Sequence, residues 1–343
     1  MVPPPAKKQK LSQSSAIIFT TLKNEPNTRL FVFNQEFHVF AEPLRMNSAF
    51  FERAFDPSNG IELSSSSPLF KSDWYTSLDK DVGWVLTPGS QKHDKDEDFT
   101  ISKGKRSQEQ KAFNNILCAI FNREYQVSNA AELNSMVTQA AYYGALPVVS
   151  NSLTGPLYTS SELLSTDFDA TTLLESAYKL RHKALFRECF IYVLGPWSNP
   201  QYKKLLDGPL FKLADTAYKR MEMHIMKIHM DMFQLASNCP PDSDEFINGG
   251  TEYVQHLLGL APKCVSDEGR IIMPKFFRSC MTAAARKYPE PHDEVKKMLG
   301  RFLQNRLVLL KDAVSGVGEF EDYFLHFTIP DRMLPWDVNE ITW

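Results

Sequence analysis

The chain has 343 residues, 43% of them apolar and 12% aromatic, with a formal charge of −3 at pH 7. That length and apolar content suit two domains with a sizeable buried core and exclude a chain unfolded throughout. The small negative charge supplies no broad positive field to displace counter-ions from a nucleic-acid backbone, so nucleic acid is disfavoured as a partner unless a local patch escapes the average.

The first fifteen positions are rich in Pro, Lys, Ser and Gln. They bury too little to offset chain entropy, and residues 1–25 are expected as a disordered tail. Lys7, Lys8 and Lys10 stand where a secretory leader would need an apolar run. Lys7-Lys8-Gln9-Lys10 also has the form of a minimal nuclear-import signal, although such short clusters are more often a solvated tail. From Arg29 the pattern changes. Leu30-Phe31-Val32-Phe33, a turn at Asn34-Gln35, and Phe37-His38-Val39-Phe40 predict a β-hairpin. Leu44, Ala49, Phe50, Phe51, Ala54 and Phe55 recur at helical spacing until Asp56-Pro57, which predicts a short amphipathic helix.

Residues 57–98 combine the serine run Ser64–Ser67 with a charged run from Lys92 to Asp98, around Trp74, Tyr75, Trp84, Val85 and Leu86. They read as an irregular insertion with an ordered middle. Phe99-Thr100-Ile101 suits a short strand, and Phe113, Ile116, Leu117, Ile120 and Phe121 form the stripe of a helix. A second helix is expected from Ala130 to Tyr143, with Gly144 as its C-terminal cap.

Beyond Ser150 the pattern is helical. Leu173 to Val193 repeats at helical spacing up to Gly195-Pro196, and a further helix follows Pro209 to about Leu235. Pro240-Pro241-Asp242 marks a loop, Phe276–Arg286 and Val295–Leu310 read as helices, and the end is aromatic, with Tyr323, Phe324, Phe327, Trp336 and Trp343. No fixed period suggests a solenoid.

Certain residues resemble the BTB/POZ family in its fungal form. The family's strand phenylalanine and its Ser-x-x-Phe helix start are similar to Phe37, Leu44 and Ser48-Ala49-Phe50-Phe51. Its aromatic-turn-Glu-Tyr step, which leads into a last short strand, resembles Phe121-Asn122-Arg123-Glu124-Tyr125, and its last helix pair resembles the stretch from Ala140 to Leu146. Phe40 stands where the family commonly has histidine, and the acidic residue often found on the first strand has no counterpart near Arg29. The stretch from Leu173 to Leu180, then Phe186-Arg187-Glu188-Cys189, Gly195-Pro196-Trp197, Asp322-Tyr323-Phe324 and Leu334-Pro335-Trp336-Asp337 resemble the helical region that follows the domain in fungal proteins.

The resemblance implies an α+β domain, a small sheet capped by helices, over residues 26–158, followed by an all-α region over 159–343. It implies a non-enzymatic adaptor or scaffold that meets protein partners, as a homodimer or heterodimer through the first domain. A nuclear transcription-associated regulator is the alternative. Recruitment of a cullin by a ubiquitin-ligase adaptor is the weaker one, because the apolar-x-Glu step at Phe121 and Glu124 is displaced by one residue. An interaction face needs an apolar cluster that desolvates on contact. Phe31, Phe33, Phe50, Phe51 and Phe55, together with Phe121 and Glu124, are the candidates.

Chemical motifs are sparse. The five cysteines, Cys118, Cys189, Cys239, Cys264 and Cys280, never form a C-x-x-C pair, which fits a reducing compartment and gives no zinc or redox signal. His224 and His229 are five residues apart on one predicted helix, about 140° around its axis, which is wrong for a shared metal. His38 lacks a nearby nucleophile and reads as a strand residue. Met221, Met223, Met226, Met230 and Met232 suit either an adaptable binding face or, more commonly, a core helix. No nucleotide-binding, serine-hydrolase or zinc-protease motif occurs. No catalytic residue, metal or cofactor is assigned. With no run of ~18 apolar residues, a cytoplasmic or nuclear location without a membrane partner is expected.

Overall fold

The computed structural model describes residues 15–20, 25–79, 83–89, 103–159, 163–164, 169–237, 252–283 and 289–340. Lys7–Lys10, the charged run 92–98, Phe99–Ile101, the loop at Pro240-Pro241-Asp242, Ala284–Arg286 and Trp343 lie outside them. The chain forms two compact units, one of Met1–Val127 with Ala131–Pro156, the other of Ser128–Ala130 with Leu157–Trp343.

The first unit is α+β. Its strands are β1 (Ile17–Ile18), β2 (Thr28–Val32), β3 (Gln35–Val39), β4 (Ser72–Asp79) and β5 (Gly83–Pro88), in the order β1-β3-β2-β4-β5. The hairpin β2–β3 turns at Phe33 and Asn34, with Phe33 held at φ +54°. That left-handed backbone is tied down by the Phe33 N–H, which donates to Thr76 Oγ1 at 2.7 Å, while the same hydroxyl donates to Phe31 O at 2.8 Å. Helices α1 (Ala41–Asn47) and α2 (Ala49–Ala54) follow, and then β4 lies parallel to β2. Helices α3 (Lys103–Ile120), α4 (Ala130–Tyr142) and α5 (Leu146–Ser152) complete the unit's elements, and α6 (Thr154–Thr159) spans the boundary between the units at Pro156 and Leu157.

Alternation on β2 and β3 supplies the centre of the core, while β4 and β5 bury successive residues. Leu30, Val32, Phe37, Val39, Trp74 and Leu86 are each no more than 2% exposed and join Leu44, Phe51, Phe113, Leu117, Leu133 and Val137 from the helices. The edge of β5 is closed locally, because the Leu86 N–H donates to the buried Tyr143 hydroxyl at 3.1 Å.

Four expectations for this unit need correction. The one short helix expected from Leu44 to Phe55 is two, α1 and α2, parted at Ser48, whose backbone is extended (φ −145°, ψ 113°). The stretch expected as an irregular insertion contributes two sheet strands, β4 and β5, so Trp74, Tyr75 and Trp84–Leu86 are sheet residues. The tail expected over 1–25 is ordered at Ser15–Thr20, where β1 pairs with β3 and Phe19 is 1% exposed. After Tyr125 no strand forms; the extended chain is held by Asn115 Nδ2 donating to Gln126 O at 3.0 Å.

Helices dominate the second unit: α7 (Ala170–Lys179), α8 (Lys183–Val193), α9 (Gly208–Ser237), α10 (252–258), α11 (Met273–Thr282) and α12 (Pro289–Phe302). The single periodic run from Leu173 to Val193 is in fact two helices. Arg181 turns at φ +52°, and His182 caps α8 by accepting the Leu185 N–H on Nδ1 at 3.2 Å. The helix expected to reach Leu310 stops at Phe302. Beyond it, Glu188 accepts the backbone N–H groups of Val308 at 2.7 Å and of Leu309 and Leu310 at 3.2 Å each, bonds that a continuing helix would need for itself. The chain then runs through short 3-10 turns to residue 340, so the region is not wholly α-helical.

Candidate protein-interaction site

The sheet's outer face is built around Arg29. Its Nε donates to Asp73 Oδ1 at 2.8 Å and its Nη2 to Oδ2 at 2.7 Å, a two-bond fork between neighbouring strands β2 and β4. The serine run has a definite role here: Ser65 Oγ, Ser66 Oγ and the Ser66 N–H all donate to the same carboxylate. Burial pushes the Asp73 carboxyl up, but the Arg29 fork and the serine donors outweigh it and hold the group at about 2. Above this pair, the Arg29 guanidinium stands over the rings of Phe31 at 5.3 Å and Phe70 at 4.9 Å. Phe31 stacks on Tyr75, with ring centroids 4.8 Å apart and planes 3° from parallel. A half-buried aromatic pair beside a fixed ion pair is the most developed surface feature of this face.

The other candidates fall into separate groups. Phe50, Phe51 and Phe55 converge on Trp74 at centroid distances of 6.1, 5.6 and 5.6 Å. Phe51 is 1% exposed, so it belongs to the core and is corrected from a contact residue. Phe50 and Phe55 are half-buried, and Phe50 also meets Tyr142, which is 38% exposed. Phe33 sits at the hairpin turn against Trp84. Phe121 lies against Phe19 at 5.0 Å, where Arg123 also stands 4.4 Å above the Phe19 ring, and Glu124 is exposed. The expected residues therefore do not form one surface. Arg29, Asp73, Tyr75 and Tyr142 were missed; Arg29 shares β2 with Phe31, and only the parallel pairing of β2 with β4 brings Asp73 and Tyr75 to them.

The family-like start of α2 has a physical basis. Ser48 Oγ accepts the Phe51 N–H at 3.2 Å and donates to Tyr143 O at 2.6 Å. The Ala49 N–H and the Phe50 N–H reach Gly144 O and Tyr143 O, both at 3.3 Å. Gly144 has φ +60°, and a β-carbon there would lie 2.8 Å from Ala49 Cβ, so both backbone conformation and contact call for glycine.

Other groups give no catalytic arrangement. A cleft of about 510 Å³ in the first unit includes Glu109, whose carboxylate is filled by Ser135 Oγ at 2.6 Å, Gln139 Nε2 at 2.6 Å and Trp84 Nε1 at 3.2 Å. These donors fix Glu109 as an anchor between α3, α4 and β5. His38 bonds Glu36 at 2.8 Å and packs on Phe70. On α9, His229 is half-buried against Phe277, whereas His224 is exposed. Met221 and Met232 are core, while Met223, Met226 and Met230 are 71, 66 and 55% exposed. Among the described residues no group of three or more His, Cys, Asp or Glu could hold a metal ion, and Cys118, Cys189, Cys264 and Cys280 are free and buried. No helix among them is long and apolar enough to cross a membrane. No family model, curated protein or solved structure matches the chain.

Proposed function

We propose that this chain is a non-enzymatic adaptor built on a BTB/POZ-like N-terminal unit. One observation carries the reading: a β-hairpin, β2–β3, leads through the helix pair α1–α2 to a strand, β4, laid parallel on the hairpin's first strand. The order hairpin, helix, strand agrees with the first part of the order that the resemblance implies, with β4 in the place given to Phe99–Ile101, whereas the later short strand of that order does not form. The docking element is the outer sheet face, where the Phe31–Tyr75 stack supplies apolar area and the Arg29–Asp73 fork a rigid polar edge.

Light scattering on the full-length chain from low to high micromolar concentration, with cross-linking to partners from its native cells, tests the proposal. The expected result is self-association, or a stoichiometric protein partner, that is lost in a Phe31→Ser, Tyr75→Ser variant. A chain that stays monomeric and retains the same proteins with or without those rings would defeat it.

A further inference from the structure

Helix α9 has a face beside its core stripe that carries Arg220, His224 and Lys227, at i, i+4 and i+7 over about 10 Å of axis. Lys297 and Arg301, at i and i+4 on α12, line the same cleft, whose volume is about 750 Å³. All four cations are exposed, and among the described residues none of them forms an ion pair. The same helix does close such a pair elsewhere, Lys219 to Asp215 at 2.7 Å. Asp231 is the cleft's carboxylate, one against four cations, in a chain whose overall charge is −3.

The floor is part apolar and part polar. Phe302 and Phe327 are buried there, and the His326 ring lies 4.1 Å from that of Phe302. Its Nδ1 is buried with no hydrogen-bond partner. Burial, then His224 and Arg306, push this imidazole down to about 4, so it is neutral near pH 7.

An ordinary solvated helix face interleaves both signs of charge. Four like charges around a concavity repel one another, and a bound anion relieves that repulsion. Four cations less one carboxylate ask for about three negative charges within a volume suited to one small molecule. Two phosphates supply that density, at about −1.5 to −2 each, and their oxygens match the guanidinium fork. A peptide segment of the same volume would need a carboxylate on nearly every residue. Nucleic acid would call for a longer basic track, but α9 carries Asp215 and Glu222 outside the cleft.

We propose that this cleft of the second unit binds a free small molecule bearing two or more phosphate groups. Arg220 and Arg301 take phosphate oxygens from α9 and α12, Lys227 and Lys297 balance the remaining charge, and Phe302 and Phe327 underlie the rest of the ligand. The site is independent of the outer sheet face of the first unit.

Calorimetric titration of the full-length chain with sodium tripolyphosphate tests this. Saturable binding with one site per chain is expected, weakened at least about tenfold in R220Q/R301Q, since losing a charge-assisted contact of 1.4 kcal/mol is already tenfold. K203Q/K204Q, which removes two exposed charges outside the cleft, should bind as the parent does. Thermal unfolding without ligand checks the fold. If R220Q/R301Q melts early, K227Q/K297Q carries the same comparison. Parallel arms use a short DNA duplex and phosphatidylserine–phosphatidylcholine vesicles. Absence of tripolyphosphate binding, equal binding by the variants, or capture of duplex or vesicles that tripolyphosphate cannot displace would each overturn the proposal.

Discussion

The ring of Tyr323 fills the space where a side chain on Gly195 would stand: a β-carbon there would lie 2.3 Å from its Cδ1 and 2.5 Å from its Cε1. Around this contact the Trp197 N–H donates to Asp322 O at 2.6 Å and the Ser198 N–H to Asp322 Oδ2 at 3.1 Å. Trp197 also packs on Phe324, with centroids 5.3 Å apart. Two short sequence signatures more than a hundred residues apart are therefore one interlocked joint at the end of α8.

Gly195→Ala is expected to lower stability by about 1–3 kcal/mol, the usual cost of forcing atoms into a packed site. In a Tyr323→Ala background the same change should cost under about 1 kcal/mol, because the obstructing ring is gone. Urea unfolding of the four proteins measures the coupling. Equal costs in both backgrounds would show that the ring is not the constraint.

Ser48 joins α2 to the C-terminal end of α4 through one hydroxyl. Removing it in Ser48→Ala leaves the Phe51 N–H and the Tyr143 carbonyl without that partner and should cost about 1–2 kcal/mol. Ser48→Thr keeps the hydroxyl and should lose less than half as much. A shift of the urea midpoint with an unchanged slope is the expected signature. Equal losses for Ala and Thr would assign the effect to packing.

The difference between these local features and the rest explains what the sequence disclosed. The α3 stripe from Phe113 to Phe121 and the Ser48 cap on the Phe51 N–H act within one or two turns, and Gly144 is signalled by a positive φ, although Ser48 also reaches Tyr143 and Gly144 also meets Ala49, both far along the chain. The strands β4 and β5 were hidden for the opposite reason. Ser72, Asp73 and Trp74 are buried in succession, so the alternation that marks a half-exposed strand is absent. Asp73 is covered by serines that look like linker composition. The break at Arg181 has no glycine or proline to announce it, and the non-helical stretch Val308–Leu310 beyond α12 is held by Glu188, remote in the chain. At the candidate site the aromatic residues were legible but their grouping was not. Phe51 differs from Phe50 only in which side of α2 it occupies.

Asp73 gives a pH-dependent prediction. Its folded value, about 2, lies below the ordinary 3.8, so its ionised form favours folding. That contribution is complete above about pH 4 and is lost as pH falls through 3.8 towards 2. Asp73→Asn should be less stable at neutral pH by about 2 kcal/mol, in line with lost hydrogen bonds between charged groups. Its disadvantage should shrink over the same acid window. Denaturant midpoints at neutral pH and near pH 2 test this; a constant gap would contradict the assignment.

Glu188 should behave with the opposite sign. The side chain is 1% exposed and meets three backbone N–H groups. Burial raises its pKa above the ordinary 4.5, and the Val308, Leu309 and Leu310 amides only partly offset it. A carboxyl whose folded value is raised favours folding in its protonated form. Its contribution is thus fullest below about pH 4.5 and declines as pH rises through the folded value. Glu188→Gln keeps the shape but turns an amide N–H towards a backbone N–H, so about 1–3 kcal/mol should be lost. The glutamine does not titrate, so the parent's advantage should be largest in acid and narrow towards neutral pH. Glu188→Ala strands all three amides and should cost more than Gln at either pH. Chemical denaturation of the three proteins at pH 4 and pH 8 decides the matter. A parent advantage that widened with pH would mean that the three amides outweigh burial and stabilise the ionised carboxylate.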